Sequence, residues 1–207
     1  MLDKTATIEN FLDAAAAKQP TPGGGSVTAL AGALAGAMGE MVVNYSLGKK
    51  GLEENEEILK SGLAEFHRAR EMMLELVAED QTAYEALRAA KKLPEDAAHR
   101  LSEIEDAAMM CVQVPQAMAG TASAMLELVD SLVDRVNRHL LSDLAVCAEL
   151  AMATTRAALY NVRVNLPEVG DEQQCRMIEA MDRQLLERAT GLIGRVIPRI
   201  WERISQV

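Results

Sequence analysis

Aromatic side chains are scarce in this chain: one Trp, three Tyr and two Phe among 207 residues. Sheet cores lean on aromatic and β-branched residues, so a mainly β fold is disfavoured from the start. Cysteine is equally sparse. Cys111, Cys147 and Cys175 are odd in number and widely separated, without the paired spacing of a zinc site. They are expected to be reduced, small hydrophobic residues in a cytoplasmic protein. His67, His99 and His139 fit neither an H-E-x-x-H motif nor a Ser/His/Asp arrangement, so no metal centre and no triad is expected. The N-terminus lacks a basic stretch followed by an apolar one, and no secretory signal is expected. Positive charge is in deficit, with 21 Lys+Arg against 31 Asp+Glu and a net charge of −10. Nucleic-acid binding through a basic surface is excluded on that ground.

What the chain does have is small and aliphatic. Hydrophobic residues make up 49% of it, mostly Ala, Leu, Met and Val, which is the composition of a helical bundle. No strand-like alternation, hairpin dipeptide or internal repeat interrupts that reading. Helices are expected over 7–18, 26–47, 53–92, 95–138 (disturbed at Pro115), 142–166 and 171–206. Short connections make neighbours antiparallel, giving an all-α, antiparallel up-and-down bundle of long helices over residues 1–207 as one domain. The segment from Val27 to Leu47 is apolar enough to suggest a membrane span. It is rich in Ala and Gly rather than Leu and Ile, and Glu40 sits near its middle. A buried central helix is expected instead, with Gly32, Gly36 and Gly39 permitting close helix contact, and no membrane association. The same segment could also form a dimer surface.

The most informative stretch is Pro20-Thr21-Pro22-Gly23-Gly24-Gly25-Ser26. Two prolines stop the first helix, and three glycines in a row imply close backbone approach or unusual φ/ψ. At a helix start, free N–H groups and the dipole could hold an anion or a carboxylate. A plain linker ending in an N-cap serine is the competing reading. The run lacks the lysine of a P-loop, and Thr28 stands where a dinucleotide fingerprint starting at Gly23 would need its last glycine.

Two charged residues fall on the apolar seam of the third helix. Leu59, Leu63, Phe66, Arg70, Met73, Val77, Asp80, Tyr84 and Leu87 follow one another in steps of four and three. Charge there needs a partner, a polar cavity or access to solvent. In the fifth helix Ser142 is a candidate N-cap and Asp143 complements the dipole. Asn161 lies eighteen residues beyond Asp143, on the same face but about 27 Å away. One monomer's site could hardly use both ends of that helix. Either a site shared between subunits joins them, or Asn161 and Asn165 bond neighbouring helix ends.

These pieces together resemble the cyclodeaminase/cyclohydrolase family of folate enzymes, which includes the cyclodeaminase part of formiminotransferase-cyclodeaminase and stand-alone methenyltetrahydrofolate cyclohydrolases. Ile8-Glu9-Asn10-Phe11-Leu12, the glycine run, Met41-Val42-Val43-Asn44 with Gly48-Lys49-Lys50, and Asp80 ahead of Ala83-Tyr84 carry the resemblance. So do Val114-Pro115, Asn137 with Ser142-Asp143-Leu144, and Asn161-Val162 with Asn165-Leu166. The chain departs from the pattern at Val136, where members commonly carry Gly, and at Tyr45-Ser46, where Leu-Thr is frequent.

The resemblance implies a homodimeric helical bundle with a folate site near its interface and no tightly bound cofactor, a tetrahydrofolate derivative being the substrate. It implies hydrolysis of 5,10-methenyltetrahydrofolate to 10-formyltetrahydrofolate. The alternatives are closure of 5-formiminotetrahydrofolate with loss of ammonia, or a non-catalytic folate-binding dimer. Proton transfer by a carboxylate serves either reaction, with Asp143 the first candidate and Asp80 the second, recognition of the pterin N–H groups being the alternative role for Asp80. Pro22, Gly23, Gly24, Gly25, Ser26, Asn44, Asn137 and Ser142 are expected at the substrate, and Lys49 and Lys50 at its glutamate carboxylates.

Overall fold

Alanine- and leucine-rich stretches without β-branched runs become helix almost throughout. The computed structural model describes residues 5–206, so residues 1–4 and 207 of the expected domain lie outside the described residues. Among the described residues there are six α-helices and no strand: α1 (Ile8–Ala16), α2 (Gly24–Asn44), α3 (Glu56–Lys91), α4 (Arg100–Leu132), α5 (Leu141–Asn165) and α6 (Glu172–Ile204). Short 3₁₀ turns at Glu53–Asn55, Arg138–Leu140 and Leu166–Glu168 lead into or out of them.

Helices α2 to α5 close a ring in which each packs on two others, and α6 lies along α4 and α5. Direction follows from the contacts. Moving along α2 through Gly25, Gly32, Gly36 and Gly39, the facing α3 residues run backwards through Asp80, Met73, Arg70 and Phe66. The two helices are therefore antiparallel, as expected of an up-and-down bundle. By contrast α4 and α6 run the same way, Gln116 meeting Asp182 and Asp130 meeting Arg195 and Arg199.

Helix α2 is long and apolar enough to cross a membrane by length and composition, yet it is built into the ring. A Cβ at Gly36 would stand 3.1 Å from the Arg70 Cα and 3.2 Å from its backbone nitrogen, so α2 and α3 touch nearly backbone to backbone. Phe66 and Met73 fill the spaces that Gly39 and Gly32 leave, and both are fully buried. Arg70 resolves as an ion pair, its Nε 2.5 Å from Glu40 Oε1 and a second nitrogen 2.8 Å from Glu71.

Several boundaries differ from expectation. Helix α2 starts at Gly24 rather than 26, with Gly23 as its cap, so Ser26 belongs to the first turn and is not the N-cap. Helix α5 likewise starts at Leu141, capped by Leu140 without a side-chain bond, and Ser142 sits inside the helix. Helix α4 runs unbroken through Pro115, which lies buried within it. Proline supplies no N–H, so the carbonyl four residues earlier, on Cys111, loses its helical donor. Asn165 of α5 replaces it, donating from Nδ2 at 2.9 Å.

Candidate active site

The first turn of α2 and the middle of α3 meet at one end of the ring. Ser26, fully buried, donates from Oγ to Asp80 Oδ2 at 2.8 Å. Its backbone N–H also supports the carboxylate. Gly25 makes room for it: a Cβ there would lie 1.9 Å from Asp80 Oδ1. Close approach, then, is what the glycine run requires here. Among the described residues positive φ is confined to Gly48 and Gly51, in the turn after α2.

The anion that the helix start favours is therefore the chain's own carboxylate. Asp80 is half-buried, and desolvation pushes its pKa above the ordinary aspartate value while the Ser26 bonds pull the other way. A carboxyl group so held can exchange a proton closer to neutrality than a solvated one.

Around it lies a cleft of about 260 Å³ lined by the glycine loop, Asp80, Ala83 and Tyr84 of α3, Cys111 and Val114 of α4, and Asn161, Val164 and Asn165 of α5. Asn161 donates from Nδ2 to Ala157 O at 2.9 Å and makes a longer contact of 3.5 Å with Thr28 Oγ1. A Cβ on Gly24 would stand 3.3 Å from Asn161 Oδ1, so that oxygen faces the loop. The Cys111 thiol is no competitor as a nucleophile, since burial pushes its pKa up to about 11. Among the described residues no group of His, Cys, Asp and Glu is placed to hold a metal ion.

The other expected site residues stand elsewhere. Asn44 ends α2, and Lys49 and Lys50 are exposed in the turn beyond it, a helix length of about 27 Å or more from Ser26. Asn137 is buried and tied to the fold. Its N–H donates to Ser46 Oγ at 2.9 Å, its Nδ2 to Tyr45 O at 3.2 Å, and its Oδ1 accepts from the His139 N–H. Ser142 is exposed and Asp143 half-buried in the first turn of α5. Within one chain the structure thus brings Pro22, Gly23, Gly24, Gly25, Ser26 and Asp80 together and leaves Asn44, Lys49, Lys50, Asn137, Ser142 and Asp143 at the opposite end.

Tyr84, Cys111, Asn161 and Asn165 line the cleft without having been expected at the substrate. Tyr84, Asn161 and Asn165 had a signal only as motif fragments and Cys111 had none, because residues from four helices converge there. A larger cleft of about 350 Å³ between α5 and α6 is lined by Arg156, Tyr160, Arg163, Asp182 and Arg183 among others. Its Asp182 is also half-buried and raised in pKa by desolvation, with Gln116 donating to it at 3.1 Å, but it stands in mid-α6, away from any helix start.

Known proteins with this sequence pattern and this fold can now be set beside the geometry. The chain is 32% identical, over 96% of both lengths, to a methenyltetrahydrofolate cyclohydrolase of Methylorubrum extorquens. It is 30% identical over 89% of its length to the formimidoyltransferase-cyclodeaminase of Gallus gallus, spanning 35% of that longer protein. The crystal structure of a formiminotetrahydrofolate cyclodeaminase from Thermotoga maritima superposes with a TM-score of 0.83, at 27% identity over 98% of this chain and 97% of that one. The family model for formiminotransferase-cyclodeaminase matches residues 7–184, from just before α1 into α6. This chain belongs to the formiminotransferase-cyclodeaminase family.

Proposed function

We propose that this protein is a methenyltetrahydrofolate cyclohydrolase, acting as one domain and as a cytoplasmic homodimer with its site near the subunit interface. The substrate is a tetrahydrofolate derivative, and no tightly bound cofactor takes part. One observation carries the reading: a desolvated carboxylate, Asp80, is held by Ser26 at the start of α2 and faces a cleft large enough to admit a ring system. The 32% identity to the Methylorubrum cyclohydrolase, against 27% to the Thermotoga cyclodeaminase at similar end-to-end coverage, supports water addition over the alternative.

The chemistry follows from where charge moves. In 5,10-methenyltetrahydrofolate the bridging carbon between N5 and N10 shares a positive charge. Asp80, ionised, stabilises that cation and takes a proton from the water that attacks the carbon. A tetrahedral carbinol results. Its carbon–N5 bond then breaks, N5 receives a proton from the Asp80 carboxyl, and the hydroxyl loses its proton to become the 10-formyl oxygen. One water is consumed and one proton released. Gly23 to Gly25 present backbone edges to the ring system, and Asn161 and Asn165 supply polar atoms on the opposite wall.

Spectrophotometric decay of the methenyl compound, compared with the buffer rate, tests this directly. Acceleration by purified protein supports it. The Thermotoga and Gallus relatives favour a second reading, cyclodeaminase, which predicts methenyl formation from the formimino compound instead. Tight folate binding in calorimetry with neither turnover would make the protein a non-catalytic binder.

A further inference from the structure

The cleft at Asp80, about 260 Å³, admits a ring system but is smaller than the pockets that enclose drug-sized ligands whole. The rest of a folate, a p-aminobenzoyl ring joined through an amide to glutamate, must leave it and find its own contacts. A second cleft opens on the other side of α5. Asn161, Val164 and Asn165 line the Asp80 cleft, whereas Arg156, Tyr160 and Arg163 line the one against α6. Tyr160 and Asn161 are consecutive, as are Arg163 and Val164, and consecutive residues point about 100° apart on a helix. The two clefts thus flank the same turns of α5, separated by one helix width of about 10 Å. A p-aminobenzoylglutamyl arm is longer than that. Tyr160 and Val164, 72% and 70% exposed, form the ridge between the clefts and offer its ring an apolar surface.

Charge in the second cleft suits the end of that arm. In a chain of net charge −10, α6 pairs Arg176, Arg188, Arg195 and Arg199 with carboxylates. Arg183 of the same helix has no ion pair or hydrogen bond among the described residues, and neither have Arg156 and Arg163 on α5. Three free guanidiniums thus surround about 350 Å³, although Glu179 and Asp182 line the same space. A guanidinium fork matches a carboxylate two bonds at a time. Asp182 accepts from Gln116 Nε2 through Oδ1 at 3.1 Å, which leaves Oδ2 to accept an N–H. Arginines beside acceptors suit a ligand that carries both carboxylates and amide N–H groups. Lys91, whose charge is felt at Cys111 in the first cleft, is no competing anchor because Glu168 already holds it at 2.8 Å.

We propose that the α5–α6 cleft binds the p-aminobenzoylglutamate end of the folate while the pterin occupies the Asp80 cleft. Arg156 and Arg163, two turns or about 10 Å apart on one face of α5, take the carboxylates, and Asp182 accepts the amide N–H. Arginines of α5 thereby fill the role that the sequence suggested for Lys49 and Lys50. The identity of the occupant rests on the folate reading; carboxylate binding by the cleft does not.

Calorimetry with p-aminobenzoyl-triglutamate, which has no pterin, tests the cleft by itself. The wild type is expected to bind it, and the double variant Arg156→Gln with Arg163→Gln should weaken binding by about tenfold or more. Both arginines are exposed and unpaired, so folding is not at stake. No binding by the wild type, or equal binding by the variant, would overturn the proposal. Free glutamate is the second probe: binding tighter than that of the triglutamate would make the cleft a site for a separate dicarboxylate and overturn the assignment. In kinetics, methenyltetrahydropteroate, which lacks glutamate, should show a KM about tenfold above that of the full folate, and the double variant should lose that difference. Turnover of both compounds by the wild type with one KM would overturn the proposal and leave the cyclohydrolase reading standing. Arginine-dependent binding by a protein that turns over no folate would keep the carboxylate cleft and sink the cyclohydrolase reading.

Discussion

At the start of α2 a buried serine holds a carboxylate; just past its end another buried serine holds a backbone N–H. Ser26 donates to Asp80, an ionisable group facing a cleft, and Ser46 accepts from Asn137, a group with no charge to give. Both serines also bond a carbonyl, Ser26 that of Val77 at 3.4 Å and Ser46 that of Val42 at 2.7 Å. The same side chain at equal burial therefore tunes a proton at one end and ties a loop at the other. What differs is the partner, Asp80 from within α3 and Asn137 from the connection between α4 and α5.

That contrast can be broken most sharply at Asp80. Asp80→Asn should lower kcat/KM by about a hundredfold or more, the usual worth of a general base. Its raised pKa means that the folded chain keeps this proton longer than the unfolded chain does. Stability contributed by the group therefore falls as pH rises from the ordinary aspartate value of 3.8 through the raised one, so the amide should not destabilise the fold at neutral pH. Thermal melting checks this alongside the kinetics, and a loss of activity that merely tracks unfolding would remove Asp80 from the mechanism.

Asp143→Asn comes next, with a loss of at least tenfold in turnover and an intact helical signature. Near-wild-type rates would leave the far end of α5 purely structural. Gly25→Ala drives a methyl group into the Asp80 carboxylate, and about a tenfold loss with a lower melting temperature is expected. An equal effect of Gly23→Ala, where a Cβ would make an ordinary 3.5 Å contact, would show that the loop matters for flexibility and not for Asp80.

Smaller shifts sharpen the picture further. Activity should rise with pH as Asp80 ionises, with a midpoint above 3.8. Ser26→Ala removes the hydroxyl bond that lowers that pKa while keeping the backbone N–H, so the midpoint should move to higher pH; a downward move would mean another group titrates. At the opposite end, Asn137→Ala should cost about 1–3 kcal/mol in denaturant unfolding by leaving Tyr45 O and the His139 N–H unpaired. A larger effect on KM than on stability would return Asn137 to the substrate.

Much of the bundle was legible in the order of residues. Alanine-rich periodicity marked every long helix, and the apolar run of α2 with its glycines read correctly as a core helix. Helix ends were less legible, because Gly24 and Gly25, poor helix formers by propensity, are held in the first turn of α2 by packing against Asp80 and Asn161. Pro115 looked like a break and is not one, since Asn165, fifty-four positions away from Cys111, satisfies the freed carbonyl. Val114-Pro115 and Asn165 stood out as separate fragments, and nothing in their spacing announced that one answers the other. Asp80 stood out as a charge on an apolar seam, with a buried ion pair as the competing account, which is the one that holds for Arg70.

The sequence by itself determined the helices and the apolar faces, because those depend on interactions within a few residues along the chain. It also determined the family. Only the tertiary structure decided that the glycine run shelters an internal carboxylate instead of an outside anion, and that Asp80 and Asp143 lie at opposite ends of one chain. Ser26 and Asp80 are fifty-four residues apart, and their 2.8 Å contact exists only once α2 and α3 are packed in register. Local periodicity selects the face a residue occupies; which groups from other helices share that face is set by how the helices close on one another.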